Sequence, residues 1–207
     1  MTTRDVPSND RARAGSDRNV HALHIDVAER GKMLALKGRH ADALERYREA
    51  LRMARAVQAP QLFARHYLHC VLESLEHMGS HDQAAALAGE AARAGATEAG
   101  ATEADAQTPT PFQRRDRAYL LERQGMNQLK AGDVSAARVT LVAALTLDEA
   151  LPLTRVVLDW TARGLSVNAS RLIEAQRKYG YFIVRRDAVD PARARDPQRL
   201  TAELLHG

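Results

Sequence analysis

Apolar positions recur along the chain in steps of three and four residues, the spacing of helices that bury one face. The clearest case follows Gly38, where Ala43, Tyr47 and Ala50 fall on one side of a helix and charged residues cover the other. A similar stretch precedes Gly38, and we predict that Gly38 itself adopts the left-handed conformation that ends the first helix. The pattern therefore predicts two helices joined by a tight turn.

Six residues of this helix pair return 94 positions later, in the same order and at the same intervals. They are Gly31, Gly38, Ala43, Tyr47, Ala50 and Leu51, which correspond to Gly125, Gly132, Ala137, Leu141, Ala144 and Leu145. A fainter copy around Gly79 and Ala84 predicts helices over residues 61–78 and 80–94. A fourth predicts a helix beginning at Pro152 and another capped by Asn168. The chain is therefore predicted to be a repeat protein.

The spacing of glycines and alanines resembles the tetratricopeptide repeat (TPR), a family of stacked helix-turn-helix units. The resemblance implies an all-α, TPR-like α-solenoid of three to four antiparallel hairpins, with small residues where helices cross closely. Val27 and Leu121 stand where the family has a bulkier residue, and neither strong copy ends in the usual proline. The packing positions that it implies are Gly31, Gly38, Ala43, Tyr47, Ala50, Gly79, Ala84, Gly125, Gly132, Ala137, Leu141 and Ala144.

Composition along the chain divides it into three predicted parts. Residues 1–19 lack an apolar run and are predicted to be a disordered leader. Residues 20–180 form the solenoid, interrupted at about 95–111 by a duplicated Gly-Ala-Thr-Glu-Ala motif that favours a flexible loop, with an Ala-rich helix as the alternative. Residues 181–207 are predicted to be a tail that ends in a short capping helix.

The resemblance further implies that the first helix of each unit lines a concave groove for a partner peptide or helix. The implied groove residues are Ile25, Ala28, Lys32, His66, His69, Glu73, His77, Tyr119, Glu122, Met126, Leu129 and Lys130. The Lys, Asn and Arg clamp with which some members of the family hold a C-terminal carboxylate is missing at these positions. A chaperone-tail receptor is therefore excluded.

Histidine and glutamate side chains are concentrated in the middle of this predicted groove. His66, His69, Glu73 and His77 fall on one stripe of their helix, a spacing at which such side chains can share a divalent metal. They could also make binding sensitive to pH between about 5 and 8. The simpler interpretation, which we favour, is that they hydrate the groove or hydrogen-bond a partner. No metal site or cofactor is assigned.

Several classes of function find no support in the sequence. The chain has no phosphate-binding glycine loop and no nucleophile elbow, so we predict that it is not an enzyme. Its net charge of +4 comes from 30 basic and 26 acidic residues that are mostly interleaved, which favours an acidic protein partner over nucleic acid. No apolar run is long enough to span a membrane. The single cysteine, Cys70, fits a reducing compartment, and we expect a cytoplasmic protein. High Ala and Arg content hints at a bacterial source.

These observations together predict a protein-binding adaptor or assembly factor that holds a partner segment in a TPR groove. Two alternatives stay open. Gly125-Met-Asn-Gln loosely resembles repeats of type III secretion chaperones, which favours a secretion-type chaperone. The second alternative is a structural subunit that decorates a larger assembly, formed by copies of this chain or by other chains.

Overall fold

The computed structural model describes residues 9–98, 109–165 and 167–194, and these form eight α-helices and no strand. All-α architecture is thereby confirmed. The helices are α1 (Asn9–Leu36), α2 (His40–Ala56), α3 (Gln61–His77), α4 (His81–Glu98), α5 (Pro111–Lys130), α6 (Val134–Leu147), α7 (Pro152–Ala162) and α8 (Ala169–Lys178), followed by a 3₁₀ turn, Arg186–Ala188. No described helix is both long and apolar enough to cross a membrane.

Local side chains account for where several helices begin. Thr110 and Gln113 form a reciprocal capping box at the start of α5, with Pro111 in the first turn. The Asp133 carboxylate caps α6, and the Asn168 side chain accepts a hydrogen bond from the backbone of Arg171 to cap α8. The helix start at Pro152 and the Asn168 cap are both confirmed.

The predicted glycine turns are present between the helices of each pair. Gly38 adopts a φ of +76°, and Arg39 N donates to Leu34 O across it, which closes the end of α1. Gly132 adopts a φ of +95° at the end of α5 in the same way. Residues with a Cβ are strained in this conformation, so glycine fixes where each first helix stops.

The chain divides into two compact units, each with its own core. Unit 1 comprises the described residues up to Val71 and from Val184 onward, and unit 2 is Leu72–Ile183. The unit 1 core joins α1, α2 and the first half of α3 through Val27, Ala28, Ala50, Ala54 and Tyr67. The unit 2 core joins α5, α6, α7 and α8, and Tyr181 beyond α8 packs into it.

The same repeat positions form the close helix contact in both units. In unit 1 the Tyr47 ring lies against the bare backbone of Gly31, and in unit 2 Leu141 lies against Gly125. Each pair is placed symmetrically about its turn, as a helical hairpin requires. The alanines of the predicted packing set, Ala43, Ala50, Ala84, Ala137 and Ala144, are all buried.

Two segments differ from their predicted limits. Helix α1 begins at Asn9, inside the predicted leader, because the Arg and Ala residues there favour helix more than their polarity suggested. Helix α4 continues to Glu98, into the predicted loop, as the Ala-rich alternative anticipated. Residues 1–8, the duplicated motif at 99–108 and the predicted capping helix at 199–205 lie outside the described residues.

We predict that Gly31→Ala destabilises the protein by about 1–3 kcal/mol, because the added Cβ would lie 2.6 Å from Tyr47 Cε1 in a packed core. The matched control is Gly89→Ala in α4, whose Cβ would meet only the flexible amide of Gln124 at 2.9 Å. That amide can move, so helix propensity should leave the control neutral or slightly stabilised. Urea unfolding measures both variants, and equal effects would contradict the packing role of Gly31.

Candidate functional site

In unit 1, two carboxylates of α1 hold the segment that follows α8. The Asp190 backbone N–H donates to Glu29 Oε2 at 2.9 Å, and Arg193 Nε donates to Asp26 Oδ1 at 3.1 Å. Lys32 Nζ donates to the other oxygen of Glu29 at 2.7 Å. Asp26, Glu29 and Lys32 are all buried. Part of the α1 face predicted to receive a partner thus already carries residues 190–193 of the same chain.

Helix α3 contributes a histidine and a tyrosine to this region of unit 1. Burial, reinforced by the positive charge of Lys32, lowers the pKa of His66 to about 4, so His66 is neutral between pH 5 and 8. The Tyr67 hydroxyl lies 2.7 Å from His24 Nδ1, and burial raises the pKa of Tyr67. We call α1 residues 25–32, together with His66 and Tyr67, the unit 1 face.

In unit 2, a buried carboxylate gathers four donors from widely separated parts of the chain. Glu76 Oε1 accepts from Lys130 Nζ and from Gln176 Nε2, both at 2.6 Å. Its Oε2 accepts from the Tyr181 hydroxyl at 2.8 Å and from Asn127 Nδ2 at 3.3 Å. Burial alone would raise the pKa of Glu76, but the charges of Lys130 and Arg123 outweigh it and the pKa is lowered. Glu76 is therefore ionised in the folded unit.

A second carboxylate of α3 holds the backbone of the same C-terminal residues. Ile183 N donates to Glu73 Oε2 at 2.7 Å, and the Arg123 guanidinium lies 3.6 Å from that oxygen. Arg123 also donates to the Tyr181 carbonyl at 3.1 Å and stacks over the Tyr181 ring. Phe182 stacks on His77, with 4.9 Å between ring centroids. Residues 181–183 are thus held on unit 2 through both backbone and side chains.

The predicted groove residues differ in how accessible they are. Six are buried, so a partner could reach them only if the covering residues moved: Ala28, Lys32, Glu73, Glu122, Met126 and Leu129. Five are half-buried or exposed: Ile25, His66, His69, His77 and Lys130. Tyr119 on α5 is exposed as well.

Glu122 serves a structural contact between α5 and α7. Its Oε1 accepts a hydrogen bond of 2.7 Å from the Thr154 hydroxyl, and both residues are buried. Burial raises the pKa of Glu122 above its usual value, although the Thr154 hydroxyl opposes that rise. This contact explains why a carboxylate stands at a position that the repeat register directs inward.

Comparison with known protein families, curated proteins and solved structures found no match. The resemblance to the tetratricopeptide repeat therefore remains a prediction from the sequence pattern. The contacts above are the evidence from which function has to be argued.

Unit 2 also contains a cavity of about 320 Å³. Its wall combines the apolar side chains of Leu129, Leu172 and Phe182 with His77 and His81. Within the described ranges, no three His, Cys, Asp or Glu side chains are grouped to hold a metal ion. The candidate metal stripe of His66, His69, Glu73 and His77 therefore does not form such a site.

Sequence reasoning did not anticipate that residues 181–193 would lie against the first helices. The available signal was the apolar run Tyr-Phe-Ile-Val after Gly180, which has no place in the repeat. This signal was not sufficient, because a non-repeating segment donates the hydrogen bonds to Glu29, Glu73 and Glu76, and such contacts follow no period in the sequence.

We predict that Glu76→Gln destabilises the folded protein by about 3 kcal/mol at pH 7, because Lys130 would lose its buried counter-charge. Glu90→Gln, an exposed substitution on the neighbouring helix α4, is the control and should change stability by less than about 0.5 kcal/mol. Urea titration gives both values. Similar losses in the two variants would show that the Glu76 cluster contributes little.

Comparison of Glu76→Gln with the wild type also gives a pH prediction. The folded pKa of Glu76 is lowered, so its contribution to stability is complete above the ordinary value of 4.5 and is lost as pH falls through the folded pKa. The deficit of Glu76→Gln relative to wild type should therefore shrink when unfolding is repeated below pH 4.5. A constant deficit would mean that the charge of Glu76 is not what stabilises the unit.

Proposed function

We propose that this chain is a non-enzymatic, TPR-like protein-binding module that holds a segment of another protein on the unit 1 face. The observation that carries the proposal is the seating of residues 190–193 there. A backbone N–H and an arginine of a turn already bind Glu29 and Asp26 at this place. The face thus has carboxylates that can accept a backbone N–H and an arginine side chain of a partner segment.

The two units hold their C-terminal residues with very different strength. In unit 2, Tyr181 is buried in the core and donates a hydrogen bond to Glu76, so it is part of the packed interior. In unit 1, residues 191 and 192 are exposed, and the Arg193 side chain remains 42% accessible. Partly exposed ion pairs contribute at most about 1 kcal/mol. Exchange with a partner is therefore proposed for unit 1.

Site-specific photo-crosslinking in the native cell tests the proposal. Ile25 is half-buried and, at 3.6 residues per turn, falls between Glu29 and Lys32 around the α1 axis. A benzophenone side chain at position 25 should form an adduct with a second protein. The same probe at the exposed Arg48 of α2 is the control and should not. Adducts from position 48 alone, or from neither position, would contradict the proposal.

An apolar strip on α6 favours the structural-subunit alternative as a second candidate. Val139 and Val142 are 72% and 55% exposed, and Arg138 is the one charged residue of this helix. Contiguous exposed apolar side chains mark protein-protein contact sites. A subunit of a larger assembly could pack through this strip.

Mass in solution distinguishes this second candidate. If α6 mediates assembly, the wild-type chain should be oligomeric by light scattering, and Val139→Lys with Val142→Lys should yield a monomer. Arg52→Glu, on the exposed side of α2, is the control that changes charge without touching the strip. A monomeric wild type would exclude self-assembly through α6.

A further inference from the structure

We infer that residues 190–193 are a resident pseudo-ligand on the unit 1 face, and that the partner replaces them with an arginine-bearing segment that forms a similar turn. The inference rests on the proposed function and specifies its ligand. The structure shows this recognition chemistry directly. The seat, by which we mean the carboxylates of Asp26 and Glu29, binds one backbone N–H and one arginine side chain.

The carboxylates of the seat determine which partners fit. Asp26 and Glu29 are buried, and a buried carboxylate requires donors. Lys32 satisfies one oxygen of Glu29, while Asp190 N reaches the other. A replacement must therefore supply an N–H to Glu29 and a cation to Asp26. An acidic segment, the partner suggested by net charge, would face two carboxylates and is disfavoured.

The resident residues show how a turn presents an arginine and a backbone N–H together. Asp190 accepts a hydrogen bond from the backbone of Ala192, which forms a local turn before Arg193. Pro191 has no N–H of its own, so the turn exposes no additional donor that would need a partner. The N–H to Glu29 and the guanidinium to Asp26 are thus presented three residues apart. A competing segment needs the same spacing but not the same sequence.

A segment of another protein fits this seat better than the tail of a second copy does. Each copy already carries residues 190–193 on its own seat, so exchange between identical chains forms no new contact. A different segment displaces the resident when its own contacts are stronger. The apparent affinity for the partner is the intrinsic affinity multiplied by the fraction of time in which the seat is free of residues 190–193.

Peptide binding to the full-length protein tests the inference. The probe is the acetylated and amidated peptide Ala-Val-Asp-Pro-Ala-Arg-Ala, which copies residues 188–194, titrated into ¹⁵N-labelled protein. Loss of the resident ion pair in Arg193→Ala should tighten binding about fivefold relative to wild type, and Asp26→Asn should abolish that gain. Replacing the peptide arginine by citrulline, its neutral analogue, should weaken peptide binding by a similar factor of about five. This comparison requires no change in the protein.

Several outcomes would overturn the inference. Equal affinity of wild type and Arg193→Ala, or of the arginine and citrulline peptides, would show that arginine is not recognised. A wild-type dimer that dissociates in Arg193→Ala would assign the seat to a second copy. The crosslinking adduct at position 25 separates the two hypotheses: an adduct without arginine-dependent peptide binding refutes the inference alone. Peptide binding without an adduct refutes the proposed function.

Discussion

The burial of one charged carboxylate, that of Glu76, constrains the whole of unit 2. Transfer of a carboxylate from water into a protein interior costs several kcal/mol, so the cost must be offset by donors that are all in place. Here the donors come from α5, from α8 and from Tyr181 beyond α8. Because each of these segments supplies a donor to the buried carboxylate, the loss of any one would leave Glu76 with fewer hydrogen bonds. The end of the repeat pattern and the residues that follow it are thereby joined into one core.

Unit 1 uses the same chemistry at lower strength. Glu29 and Asp26 also accept donors from residues beyond α8, but here no aromatic ring from that segment enters the core. The two units therefore differ in what the C-terminal residues do. In unit 2, Tyr181 is part of the buried core, while in unit 1 residues 190–193 contact α1 through a hydrogen bond and a partly exposed ion pair. This difference is the physical basis for assigning exchange to one unit and not to the other.

What could be predicted from the sequence was the part of the structure that repeats. The contact of Gly31 with Tyr47 and the turn at Gly38 follow from local spacing, and so do the helix limits at Pro152 and Asn168. The partners of Glu76 lie up to 105 residues away and follow no period, so no pattern could reveal them. The start of α1 was not predicted, because residues 9–19 are polar and lack the apolar spacing from which the other helices were predicted.

A repeat register identifies the side chains that turn toward the inner face of a helix, but it does not tell whether that face is free. The register directs Glu73 toward the predicted groove, and there the chain itself supplies the donor, as it does at Glu76 and Glu29. Carboxylates are stable in such buried positions only when donors face them. Their presence at inward positions therefore signals that something donates to them, whether a partner or the chain's own tail. In this chain the tail reveals the kind of donor, which makes the resident segment the most direct guide to the partner's chemistry.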